Sequence, residues 1–171
     1  LAFKSAVETP TLDMLPLRVA VLSYAAAPLE FEPDTKYQYA NAGINTAARI
    51  IEVISGMSYE DFMQQRLFTP LGMVDTTFWP SEEQEKRIAS SYKPNQDKTD
   101  LEAIPVGQLH YPLHDHIRQP MPAGGLYSTA ADVAKFCQML LNGGQLDGKR
   151  VLKEETVKLM RTNVLAPSAK V

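Results

Sequence analysis

Tyr39-Ala40-Asn41 sets a phenol and a carboxamide two positions apart, on one side of an extended turn, just ahead of a helical stretch. A tyrosine hydroxyl takes or gives a proton when a nearby cation lowers its pKa. An asparagine both donates to and accepts from a substrate amide. Asn41 would equally serve as the cap of the helix that follows, and an isolated Tyr-x-Asn reads first as that, because short motifs recur by chance. His110, His114 and His116, with Asp115 among them, carry the ligand types that hold zinc. They lie in a proline-rich stretch without a helix to aim two rings at one ion, so they read as loop histidines making local hydrogen bonds, and no metal is expected. Ser90-Ser91-Tyr92-Lys93 spells Ser-x-x-Lys, a pattern that works when a helix brings the two residues onto one face. Pro94 disfavours helical geometry at Lys93, so Ser90 is not expected to act as a nucleophile.

The elements that must position these groups are mostly helices. Pro16 suits a first helical turn, and Leu17, Ala20, Val21 and Tyr24 follow at helical spacing up to Pro28. Ile44, Ala47, Ala48, Ile51 and Ile54 form an apolar stripe that Gly56 stops. Ser58 to Asp61 reads as a capping box for a helix ending near Pro70-Leu71-Gly72, and Ser81 opens a further short helix. Residues 87–93 are expected to form a strand. Residues 94–122 hold five prolines and little periodicity, and so long a loop usually borders a site. Thr129 to Asp132 is another capping box, followed by Val133, Phe136, Cys137, Leu140 and Leu141 at helical spacing and closed by Gly143-Gly144. Leu146-Asp147-Gly148-Lys149 is a turn. A last helix spans about 153–162, with Val157 and Met160 inward.

The 171 residues suffice for one domain or part of a larger one, and the 44% hydrophobic and 22% charged content is that of an ordinary globular chain. A net charge of −3, with Lys and Arg scattered, gives no reason to expect nucleic acid or an anionic membrane as partner. No apolar run approaches the ~20 residues that span a bilayer. Cys137 is the only cysteine, which leaves no internal disulfide; its apolar neighbours mark it as a buried small hydrophobe. Gly-x-Ser-x-Gly is absent, and so is the phosphate-cradling Gly-x-x-x-x-Gly-Lys-Ser/Thr, since Arg150 follows Gly148-Lys149.

Three stretches recur together: Phe31 to Asn41, with Pro33 and then Tyr39-Ala40-Asn41; Ser55-Gly56 followed by Pro70-Leu71-Gly72-Met73 and Asp75-Thr76-Thr77; and Ala123-Gly124-Gly125-Leu126-Tyr127-Ser128-Thr129-Ala130-Ala131-Asp132-Val133-Ala134. In order and spacing, over about residues 15–162, they resemble the class C β-lactamases and their esterase and DD-peptidase relatives. The resemblance implies an α+β parent fold of β-lactamase/transpeptidase type, of which this chain is the mainly α-helical region with minor antiparallel β. It implies acyl-enzyme chemistry without a cofactor, on a small-molecule or peptide acyl substrate. Tyr39 would be the general base and acid, Asn41 would contact the substrate amide, and Gly124 and Gly125 would line the substrate site.

In that family the nucleophile belongs to a Ser-x-x-Lys upstream of Tyr-x-Asn, and a Lys-Thr-Gly or His-Thr-Gly strand lies downstream. Neither stands at the corresponding place here, so residues 1–171 are expected to be a single incomplete domain without a nucleophile of its own. An aromatic residue commonly stands at the place of Gly124 in class C β-lactamases. Glycine there implies a wider pocket and a promiscuous esterase or peptidase-like parent. The competing expectation is a non-catalytic helical module that binds peptides or cell-wall fragments. Bare helix faces would also favour a homo-oligomer or swapped assembly.

Overall fold

The computed structural model describes residues 13–105, 109–167 and 169; of the loop expected over 1–15, residues 1–12 lie outside them. Helix α1 (Leu17–Ala25) starts directly after Pro16 and buries Leu17 and Ala20. Helix α2 (Asn41–Ser55) ends where Gly56 enters the left-handed region at φ 69°, a conformation that costs glycine no Cβ clash. It packs against α1 and meets α3 (Tyr59–Met63). Ser58 caps α3 by accepting from the Asp61 amide at 3.2 Å.

The chain then widens into a π-helical turn, Gln64–Phe68, before α4 (Thr69–Leu71). Pro70 explains the widening: in a regular helix its ring would meet the carbonyl of Arg66. Phe68, Leu71, Met73, Phe78 and Met139 form the main apolar core, with Tyr59, Trp79, Phe136 and Leu140 packed on it. Trp79 fills space there as its size suggests, and its indole also donates to the Arg118 carbonyl at 2.9 Å.

Helix α5 (Glu82–Glu85) carries a complete capping box between Ser81 and Gln84. The expected strand lies slightly later: β1 (Ser91–Pro94) pairs antiparallel with β2 (Leu101–Ile104). All eight ribbon residues face water, and Asn95 ties the turn by accepting from the Thr99 and Asp100 amides. Lys93 thus stands in a strand, where Ser90 and Lys93 do not share a helical face.

Helix α6 (Ala130–Leu141) buries Asp132 and Met139 and leaves Cys137 exposed. That corrects the expectation of a buried cysteine. The inward side of α6 sets Met139, Phe136 and Leu140 on the core and turns Asp132 and Lys135 toward residues 72–76. Gly143 and Gly144 lead into a two-residue hairpin, β3 (Gln145–Leu146) and β4 (Lys149–Arg150). Its turn residues Asp147 and Gly148 both have positive φ, as a type I′ turn requires. In α7 (Glu154–Met160) Val157 is buried, but Met160 is exposed rather than inward. Among the described residues, no helix is long and apolar enough to cross a membrane.

Candidate active site

Ala40, in extended conformation, takes the N-cap position of α2 and makes no side-chain cap bond; Asn41 is the first helical residue. The capping reading of Asn41 therefore fails, and among the described residues its carboxamide makes no hydrogen bond. Tyr39 precedes it with 69% of its surface exposed, and its hydroxyl has no partner among the described residues. The approach to Tyr39 is held by polar ties along the loop. Lys36 lies over the Phe31 ring and donates to Gln38, which donates to Glu30.

One turn after Asn41, Asn45 is buried with 1% of its surface exposed. Its Nδ2 donates to the Tyr24 hydroxyl at 3.1 Å, and its Oδ1 accepts from the Ala123 amide at 3.2 Å. A single carboxamide thus joins α1, α2 and the segment leading into Gly124. Sequence reading passed over Asn45. The available signal was a polar residue beside Ala48, on the helix face that packs inward.

The glycine pair is shaped by two different constraints. Gly125 is buried, and a Cβ there would lie 2.7 Å from the Met121 carbonyl oxygen. Its amide donates to that oxygen at 2.8 Å. Gly124 is exposed at φ 102°, and a Cβ there would meet no atom within 4 Å. The space above Gly124 is open, while the backbone conformation disfavours any side chain.

Downstream of the glycines the second and third stretches lock together. Thr77 and Tyr127 exchange backbone hydrogen bonds at 3.0 and 2.9 Å, and the hydroxyls of Thr76 and Ser128 pair at 2.8 Å. The buried Asp132 accepts from the Asp75 amide at 2.7 Å and from the Thr76 hydroxyl at 3.0 Å, and it pairs with Lys135. Thr129 caps α6 through the Asp132 amide, but the Asp132 carboxylate turns inward instead of completing a box. Burial works to raise its pKa, yet the bonds from Lys135, Asp75 and Thr76 outweigh that and hold the carboxyl below the usual range. Asp75 is held low by hydrogen bonds from Arg87 and then Gln84.

The three histidines turn to different partners. His114 Nδ1 lies 2.9 Å from Glu85, His116 stacks on Trp79 at 4.8 Å, and His110 meets the Tyr111 ring edge-on. The backbone amides of His110 and Tyr111 both donate to the buried Asp13, which clamps this loop. The clefts beside the α1–α2 pair and between Arg87 and Tyr127 include neither Tyr39 nor Asn41.

The β-lactamase family model matches residues 5–170. The chain belongs to that family. It is 38% identical to penicillin-binding protein 4 of Amycolatopsis lactamdurans over 133 residues, 77% of this chain and 33% of that protein. It is 31% identical to the lovastatin esterase of Penicillium rubens over 143 residues, 83% of this chain and 34% of that enzyme. The solved structure of EstCE1, a hydrolase with promiscuous acyltransferase activity, superposes with a TM-score of 0.72 at 23% identity, over 88% of this chain and 41% of that one. This β-lactamase-family chain spans about a third of the length of these curated relatives. Its fold is the mainly helical part of the β-lactamase/transpeptidase fold with minor antiparallel strands, as the sequence resemblance implied.

Proposed function

We propose that this chain supplies Tyr39 and Asn41 to a serine-hydrolase site that opens an ester, amide or β-lactam through an acyl-enzyme. The carrying observation is the mouth of α2. A phenol and a carboxamide stand there exposed and, among the described residues, without hydrogen-bond partners, although Ala40 already takes the cap position. In this reading a serine outside residues 1–171 attacks the carbonyl. Tyr39 takes the serine proton and later returns one to the leaving group. Asn41 donates to the acyl substrate's amide or ester oxygen. The family's Ser-x-x-Lys and its Lys-Thr-Gly or His-Thr-Gly strand would complete the site around the Tyr39 hydroxyl.

Gly124 and Gly125 line the acyl side of this site. The open space over Gly124 supports a wide, weakly selective pocket, which favours small esters and peptides over β-lactams alone. The names of the relatives, an esterase and a penicillin-binding protein, fit that breadth. The test is turnover by the complete gene product that contains residues 1–171. Hydrolysis of p-nitrophenyl acetate is expected, with Tyr39→Phe lowering kcat by about 100-fold or more, the usual span for a lost acid–base group. Efficient nitrocefin hydrolysis with negligible ester hydrolysis would overturn the wide-pocket reading. Residues 1–171 alone are expected to take no label from a fluorophosphonate or a penicillin. Labelling would place a nucleophile within them.

A further inference from the structure

We propose that Asn45 is a positioning residue for this acyl site: its buried carboxamide fixes the first turns of α2 against the loop that carries Gly124 and Gly125. The inference rests on the functional reading above and adds the device that holds its two halves in register. Asn41 and Asn45 stand one turn apart on α2, so whatever holds Asn45 also holds the base of Asn41. Asn45 is 1% exposed, and both ends of its side chain are used, Nδ2 on the Tyr24 hydroxyl and Oδ1 on the Ala123 amide.

Ala123 is the residue before Gly124, and at 7% exposed it is itself buried, so in the intact chain its amide is satisfied by Asn45 rather than by bulk solvent. The next amide contacts along the loop, Gly124 to Pro122 and Gly125 to Met121, are internal to the loop. They fix its shape but not its place relative to α2. The carboxamide therefore sets the separation between the proposed amide contact at Asn41 and the proposed acyl wall at Gly124. A shift of about 1 Å between such groups costs on the order of 100-fold in rate.

The experiment compares variants of the complete gene product on p-nitrophenyl acetate. Asn45→Leu keeps the volume and removes both hydrogen bonds. Val157→Ala hollows the distant α7 contact and serves as a control for general loss of stability. Expected is a kcat about 100-fold lower for Asn45→Leu with a much smaller change in KM, and a kcat within about twofold of the parent for Val157→Ala. Asn45→Asp, which still accepts from Ala123, is expected to recover most of that loss. In residues 1–171 alone, the Gly124 and Gly125 amide resonances are expected to move in Asn45→Leu and stay in Val157→Ala. If Asn45→Leu does not fold, Asn45→Ala takes its place with the same outcomes. Equal kcat for the Asn45 and Val157 variants, in a protein that Tyr39→Phe disables, would overturn this inference alone. A protein indifferent to Tyr39→Phe would overturn the site reading and this inference with it.

Discussion

His114 shows how a single contact sets a titration. Its hydrogen bond to Glu85 raises the imidazole pKa above its ordinary 6.5, with the nearby carboxylates adding to the effect. The sign follows directly. The pair contributes fully below pH ~6.5 and is lost as pH rises through the elevated folded value. Both partners are solvent-accessible, so the pair fades further at high salt. An NMR titration is expected to place His114 above its ordinary value, and Glu85→Gln should bring it back toward that value; a His114 unmoved by that change would refute the pairing. At Gly125 the constraint is steric. Gly125→Ala forces a methyl to within 2.7 Å of a backbone oxygen, which should cost about 1–3 kcal/mol in a urea melt. Which asparagine would be exposed and which buried was not legible in the letters. Asn41 and Asn45 lie one turn apart on nearly the same helix face; Asn41 stands at the helix end, whereas Asn45 is covered by Tyr24 and Ala123, 21 and 78 residues away.

At the level of elements, α6 is fastened to residues 72–76 by Asp132 and Lys135 as well as by the packing of Met139, Phe136 and Leu140 on the core. Asp132→Ala leaves the Asp75 amide and the Thr76 hydroxyl without their acceptor, and should cost about 2–3 kcal/mol. Because the Asp132 carboxyl is held below its ordinary value, its contribution is complete above pH ~4 and disappears as pH falls through the depressed folded pKa. The parent should therefore lose stability more steeply below pH 4 than Asp132→Ala does, and parallel curves would count against the anchor. Helix starts were legible because Ser58, Ser81 and Thr129 act within three residues of themselves. On α6 the apolar spacing marked Phe136 and Leu140, which pack on the core, but not the inward turn of Asp132, whose partners lie more than fifty positions away. The first strand of the ribbon was expected a few residues early, and the second, β2, escaped notice for another reason: none of the ribbon's residues is buried, so no alternation of apolar and polar marks it.

As a whole molecule the chain leaves apolar side chains in water. Leu22, Val53 and Ile54 each expose about two thirds or more of their surface. Of the apolar stripe on α2, Ala48 is buried, whereas Ile54 is 81% exposed. Residues 1–171 alone are therefore expected to associate in a concentration-dependent way by light scattering, and Val53→Lys with Ile54→Lys should favour the monomer. Strict monomers at all concentrations would show that these faces are tolerated bare. The overall architecture was legible because three motifs had to occur in order, and the locks between Thr77 and Tyr127 and between Thr76 and Ser128 show why their spacing is constrained. The water-facing ribbon has a practical use. Its tip, from Asn95 to Asp100, supports no core, so a reporter peptide or fluorophore spliced there should ride outside the molecule and leave its folding unchanged.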